Sequence, residues 1–138
     1  MKKIVVLALT PGGEVLLKIK MINGRKLLVP FEAWQKWGET ERGTIERIKE
    51  EIATVAPPET FIVRFTRIEK LKINTKFREA RKVYYVCHLP FEPVFNSNSE
   101  MVIIKKEDLA KFKKEIPQED YIQILKALGI QNSLTDFI

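Results

Sequence analysis

Apolar residues recur along this chain in two rhythms, one close to every second position and one close to every third or fourth. Lys3–Leu9 is a β-branched, apolar run, and Glu14–Lys20 alternates loosely. Pro11-Gly12-Gly13 lies between them, so the two strands read as a hairpin around a Pro-Gly-Gly turn. After Asn23-Gly24, Leu27–Val29 makes a short third strand that Pro30 stops. Phe31–Gly38 has no clean period and reads as an ordered loop, although it carries both tryptophans, Trp34 and Trp37. From about Thr40 to Val55 the rhythm turns helical, with Ile45, Ile48, Ile52 and Val55 spaced by three, four and three on one stripe. Thr40 is the N-cap of this helix, and Pro57-Pro58 stops it.

Beyond the helix, Thr60–Ile73 carries a long strand signal, with Phe61, Val63, Phe65 and Ile68 as core candidates. Polar, basic residues from Asn74 to Ala80 separate it from Lys82–Leu89, where Val83, Tyr84, Tyr85 and Val86 mark an adjacent antiparallel strand. Pro90–Ser99 is a loop, and Glu100–Lys105 a further strand. An acidic-capped helix over about Lys106–Lys114 follows. Pro117 opens a last amphipathic helix, Gln118–Leu128, which Gly129 ends. The expected organisation is a domain over residues 1–130 and a C-terminal tail over 131–138.

Composition narrows the classes. The chain has 138 residues, 45% of them hydrophobic, which suits one packed core. The apolar run Ile4–Leu9 is far too short to span a bilayer, and no cleavage pattern follows it, so neither a membrane span nor a signal peptide is expected. A lone cysteine, Cys87, excludes an internal disulfide framework and a cysteine-cluster zinc site, and fits a cytoplasmic location. The net charge of +6 favours phosphate-rich partners.

The order of strand, Pro-Gly-Gly turn, strand, short strand, loop ending Gly38-Glu39-Thr40 and Glu-rich helix resembles the Nudix family, from about Lys3 to Leu128. Three segments carry the likeness. Val15-Leu16-Leu17-Lys18 is similar to the family's second strand, and Leu28-Val29-Pro30 to the apolar-x-Pro before its Gly-Gly loop. Glu100–Ile104 with Glu107-Asp108-Leu109 is similar to its late strand and following helix. The resemblance implies an α/β fold: a Nudix-like α/β/α sandwich with a mixed central sheet and helices on both faces.

The family box reads Gly-x5-Glu-x7-Arg-Glu-U-x-Glu-Glu-x-Gly-U, with U aliphatic. Its helix carboxylates hold Mg²⁺, which neutralises phosphate oxygens and activates water. Gly38-Glu39-Thr40 matches the loop end, but Ala33 stands where the box has its first glycine. Counted without a gap, Arg47 falls on the box arginine, Ile48 and Ile52 on two glutamates, and Glu51 on the third. A one-residue deletion instead aligns Glu46-Arg47-Ile48-Lys49-Glu50-Glu51 with the core of the box. Under both readings the glutamate that directly follows the arginine is missing. The box is degenerate, and with the isoleucine stripe facing inward, Glu46 and Glu50 point to solvent while Glu51 lies to the side, near Arg47.

The candidate catalytic residues are Glu39 and Glu51, and the candidate metal ligands for Mg²⁺ or Mn²⁺ are Glu39, Glu50 and Glu51. The same glutamates also read as a solvated helix face and an N-terminal dipole complement. Trp34 and Trp37 are candidates for stacking on a base, or for anchoring their loop to the core. The densest basic stretch contains Lys70, Lys72, Lys76, Arg78, Arg81 and Lys82 around Phe77. Lys72, Lys76, Phe77 and Arg78 are its candidate contacts with phosphate or RNA, and an edge strand kept soluble by lysine is the plainer reading. His88 reads as structural. Three functions follow: a protein with a degraded box that binds a nucleotide or other phosphate-containing ligand with little hydrolysis, an active Mg²⁺-dependent hydrolase of nucleoside-diphosphate derivatives, or a basic RNA- or ribonucleoprotein-binding module.

Overall fold

The computed structural model describes residues 2–56, 66–74, 79–95 and 99–129, with the backbone alone for 66–74 and 79–80. Its elements in chain order are β1 (Lys2–Leu9), β2 (Val15–Ile22), β3 (Arg25–Val29), β4 (Phe31–Trp34), α1 (Glu41–Ala53), β5 (Thr66–Asn74), β6 (Glu79–His88) and β7 (Met101–Ile104). A 3-10 helix (Lys106–Phe112) and α2 (Gln118–Ala127) follow. The strands form one mixed sheet with the path β3-β2-β1-β6-β5. β1 and β6 run parallel over their whole shared length, and the other pairs are antiparallel.

The two hairpin strands part soon after their turn. β1 pairs with β2 only at Ala8↔Leu16 and Leu9↔Val15. β4 takes over the edge of β1 from Lys3 to Val6, and β3 takes the edge of β2 from Lys18 to Ile22. Pro30 therefore does not end the sheet: it is where the chain crosses from β2 to β1, at a residue with no N–H to donate. The segment after it, expected as loop, is half strand. Phe31 and Ala33 face the core with no more than four residues to show the alternation, too few to stand out in the sequence.

Alternation along β1 sends side chains to both faces, and each face is covered. Ile4, Val6 and Ala8 pack with Leu16, Phe31, the α1 stripe Ile45, Ile48 and Ile52, and Val55 just past the helix end. Val5, Leu7 and Leu9 pack on the opposite side with Leu17, Tyr84, Leu109 and Ile124, under the 3-10 helix and α2. This is the expected α/β/α sandwich. Near-continuous apolar runs mark a strand buried on both sides, as Ile4–Leu9 is.

Thr40 caps α1 as the sequence suggested, its hydroxyl accepting from the Gly43 N–H at 3.0 Å. The helix expected over Lys106–Lys114 is instead a 3-10 helix ending at Phe112. Phe61, Val63, Phe65, Lys76, Phe77, Arg78 and the expected tail lie outside the described residues. No described helix is long and apolar enough to cross a membrane.

Candidate functional site

The glutamates singled out in the sequence sit along α1 and the loop that leads into it. Glu39 folds back onto the first turns of the helix. Its carboxylate accepts from Arg47 Nε at 2.8 Å and Nη2 at 2.7 Å, from the Thr44 hydroxyl at 2.7 Å and from the Lys36 N–H at 3.0 Å. These donors, Arg47 first, hold it well below the ordinary carboxylate range. Arg47 also donates to the Trp34 carbonyl at 2.8 Å, so one guanidinium closes the loop 34–39 onto the helix. A Cβ at position 43 would come within 3.0 Å of Glu39 Cγ, so glycine there gives the glutamate room to pass.

One helical turn beyond Arg47, Glu51 meets a sheet residue. Lys18 Nζ of β2 lies 2.6 Å from Glu51 Oε1, and both are partly exposed. The pair lines an open cleft of about 490 Å³, bounded also by Ile19 and Lys20 of β2, Thr54 after α1, and Ser99, Glu100 and Met101 at the start of β7. Glu50 and Glu46 face solvent. Ile48 and Ile52, the residues on two box glutamates in the gap-free register, are 2% and 0% exposed in the core.

The proposed metal set is thus not brought together. Glu39 is held by Arg47, Glu51 is held by Lys18, and Glu50 points away. Among the described residues no three carboxylates, histidines or cysteines converge as ion ligands. Mg²⁺ needs several hard oxygens in near-octahedral array. The donor set does not fit that ion. The other carboxylates near the sheet's end are likewise partnered: Glu32 by Lys3 at 2.8 Å, and Glu41 by Lys2 at 3.1 Å and by the Tyr85 hydroxyl at 2.6 Å.

Backbone topology over nearly the whole chain matches solved structures. A NUDIX-family hydrolase from Clostridium perfringens aligns at a TM-score of 0.64 and 15% identity, over 94% of this chain and 96% of that one. A possible asymmetric diadenosine tetraphosphate hydrolase from Jonesia denitrificans aligns at 0.68 and 12%, over 96% and 98%. The NUDIX domain of Shewanella oneidensis NrtR, in complex with ADP ribose, aligns at 0.61 and 15%, over 92% and 84%. The fold is the Nudix fold. The sequence itself matches no family model and no curated protein.

On this Nudix fold, Glu39 and Arg47 are the residues that the gap-free register places on the box glutamate and arginine, and they are in contact. α1 runs unbroken from Glu41 to Ala53. The tryptophans lie apart from the cleft. Lys3 Nζ sits 5.5 Å from the centre of the Trp34 ring, and Trp37 is fully exposed, which overturns its reading as an anchor to the core. His88 is exposed at the end of β6, beside a second cavity of about 550 Å³ near the β1–β2 turn. Lys72 stands opposite Arg81 in the β5–β6 register.

Lys82, grouped in the sequence with the basic surface, is buried at 4% exposure. Its ammonium lies 3.1 Å from both Asp120 Oδ1 and Glu119 Oε1, and the Tyr84 hydroxyl donates to the same Asp120 oxygen at 2.6 Å. Burial alone would lower the Lys82 pKa, but Asp120 and Glu119 outweigh it and raise it. Sequence parity carried a signal for this. Lys82 is two residues from Tyr84 on one strand and so shares its inward face. The cleft lysines, Lys18 and Lys20, were also missed as site residues, because their partner Glu51 is remote in sequence.

Proposed function

We propose that this protein binds a phosphate-bearing small molecule of the nucleotide type in the cleft beside α1, with little or no hydrolysis. The observation that carries the reading is the state of the box helix. Two box-glutamate positions are core isoleucines, and the surviving carboxylates Glu39 and Glu51 are each neutralised by a basic side chain of the protein itself. Hydrolysis by the family's chemistry needs those carboxylates free to hold a metal against the phosphates. Here their negative charge is spent on Arg47 and Lys18.

What the cleft offers instead is two lysines, Lys18 and Lys20, set beside Glu51 and Glu100. Lys20 lines it, is exposed, and has no acidic partner among the described residues. Lys18 stands beside it and exchanges Glu51 for a phosphate at modest cost, since an exposed ion pair contributes about 0–1 kcal/mol. A nucleotide derivative is supported by the fold, one neighbour of which is described in complex with ADP ribose. The net charge of +6 favours an anionic ligand in general.

Calorimetric titration with ADP-ribose and nucleoside di- and triphosphates, with and without Mg²⁺, tests the proposal. Binding is expected without the metal, weakened at least several-fold by Lys20→Glu. Failure to bind any of them, or binding only when Mg²⁺ is present, would sink it.

A further inference from the structure

We propose that the end of the sheet beside the N-terminus of α1 is a docking surface for single-stranded nucleic acid, separate from the cleft. The topology gathers its parts from distant stretches of sequence. The Gln35 N–H donates to the Lys2 carbonyl at 2.9 Å, Lys2 stands opposite Arg81 in the β1–β6 register, and Arg81 stands opposite Lys72 in the β5–β6 register. That row places the loop bearing Lys36 and Trp37, the start of α1 bearing Arg42, and the start of β6 bearing Arg81 at one end of the molecule.

Charge at this end is unbalanced. Lys36, Arg42 and Arg81 are exposed and have no acidic partner among the described residues. The acids nearby are occupied, Glu39 by Arg47 and Glu41 by Lys2 and the Tyr85 hydroxyl. On the same loop as Lys36 stands Trp37, fully exposed, and Arg47 and the Lys36–Glu39 contact hold that loop in one shape. An indole normally buries most of its large apolar surface. A free one is costly in solvent unless a planar partner covers it.

The surroundings of Trp37 favour a base over a protein as that partner. A protein hot spot sits among apolar contacts that exclude water, whereas Trp37 is flanked by Lys36 and Gly38, both exposed. An exposed aromatic with a free cation beside it on one loop is an arrangement that stacks a base and holds an adjoining phosphate. The cleft is elsewhere: Arg42 and Thr54 are separated by about 18 Å along the helix, at 1.5 Å per residue.

Fluorescence anisotropy of a labelled uridine or thymidine dodecamer tests the surface, with a duplex of the same length as comparison. Binding is expected at about 50 mM salt. The logarithm of the association constant should fall against that of salt with a slope near −2, from three phosphates at about 0.7 each. Trp37→Ala should weaken binding by about tenfold or more, as loss of one stacked base does, while Trp37→Phe retains most of it. Lys36→Glu with Arg42→Glu should weaken binding and flatten the salt slope, and Lys106→Glu, at the other end of the molecule, should change it little. The proposal is overturned by absence of binding at low salt, by indifference to Trp37→Ala in folded protein, or by an equal loss in Lys106→Glu. None of these outcomes bears on nucleotide binding in the cleft.

Discussion

Replacing Ile52 by glutamate restores a box carboxylate in the gap-free register, and the structure says it destroys the protein rather than repairing a metal site. Ile52 is 0% exposed, packed in the layer between α1 and the sheet. Truncation to alanine at such a site costs about 2–5 kcal/mol through lost burial and the cavity left behind. With an unfolding entropy of about 2.1 cal/mol/K per residue, 138 residues give about 0.29 kcal/mol/K, so Ile52→Ala should lower Tm by about 7–17 °C. Glutamate adds a second cost. Kept neutral in an apolar site at pH 7, against an ordinary pKa of about 4.3, it costs about 3.7 kcal/mol at 1.36 kcal/mol per pH unit. The total, about 6–9 kcal/mol, is comparable to the whole stability of a typical domain, about 5–15 kcal/mol. Thermal unfolding of Ile52→Ala, Ile52→Gln and Ile52→Glu, each with and without Mg²⁺, is the assay. Ile52→Glu should be unfolded or close to it, with Ile52→Gln intermediate and none rescued by Mg²⁺. A folded Ile52→Glu protein whose Tm rises on adding Mg²⁺ would refute the reasoning about which way this face of α1 points.

Three further outcomes follow from groups the cleft does not use. Lys82→Met leaves Asp120 buried beside Tyr84 without its cation and should cost about 3–5 kcal/mol, whereas Lys82→Met with Asp120→Leu should recover most of the loss; equal losses in chemical denaturation would contradict the ion-pair reading. Burial pushes the Cys87 thiol up to about 11, so it should resist a thiol reagent at pH 8 until the protein unfolds, and prompt labelling of native protein would count against its placement. Glu39 is held well below its ordinary 4.5 when folded, so the unfolded chain takes up its proton first; the stability it supplies is complete above about pH 4.5 and is lost as pH falls further. Glu39→Gln should therefore flatten the acid side of the Tm–pH curve, and a curve unchanged from the parent would show that the Arg47 contact contributes nothing.

Much of this was legible before the structure. The stripe Ile45, Ile48, Ile52 and Val55, the Thr40 cap and the outward Glu46 and Glu50 follow from local periodicity, and all were found. β4 was not legible, because four residues after a proline carry too short an alternation to tell strand from loop. Ion pairs across the fold were also beyond reach. Lys18 and Glu51 belong to different elements, as do Lys82 and Asp120, and their meeting depends on how α1 and α2 settle on the sheet. That is why the sequence offers Glu39, Glu50 and Glu51 as one ligand set while the fold assigns two of them to cations. The fate of a charge depends on its neighbours in space, and strand parity gave only the hint that Lys82 faces inward with Tyr84.

The central claim of the proposed function is that α1 and its loop do not build a metal-dependent pyrophosphohydrolase site. Glu51→Gln tests it most directly, assayed beside the parent for Mg²⁺- or Mn²⁺-dependent release of phosphate or nucleotide from nucleoside triphosphates, dinucleoside polyphosphates and ADP-ribose, and for binding of the same compounds. No metal-dependent turnover is expected from either protein. The variant should bind nucleotide more tightly than the parent, because the substitution frees Lys18 and removes a negative charge from the cleft. Metal-dependent turnover by the parent that disappears in Glu51→Gln would contradict the account.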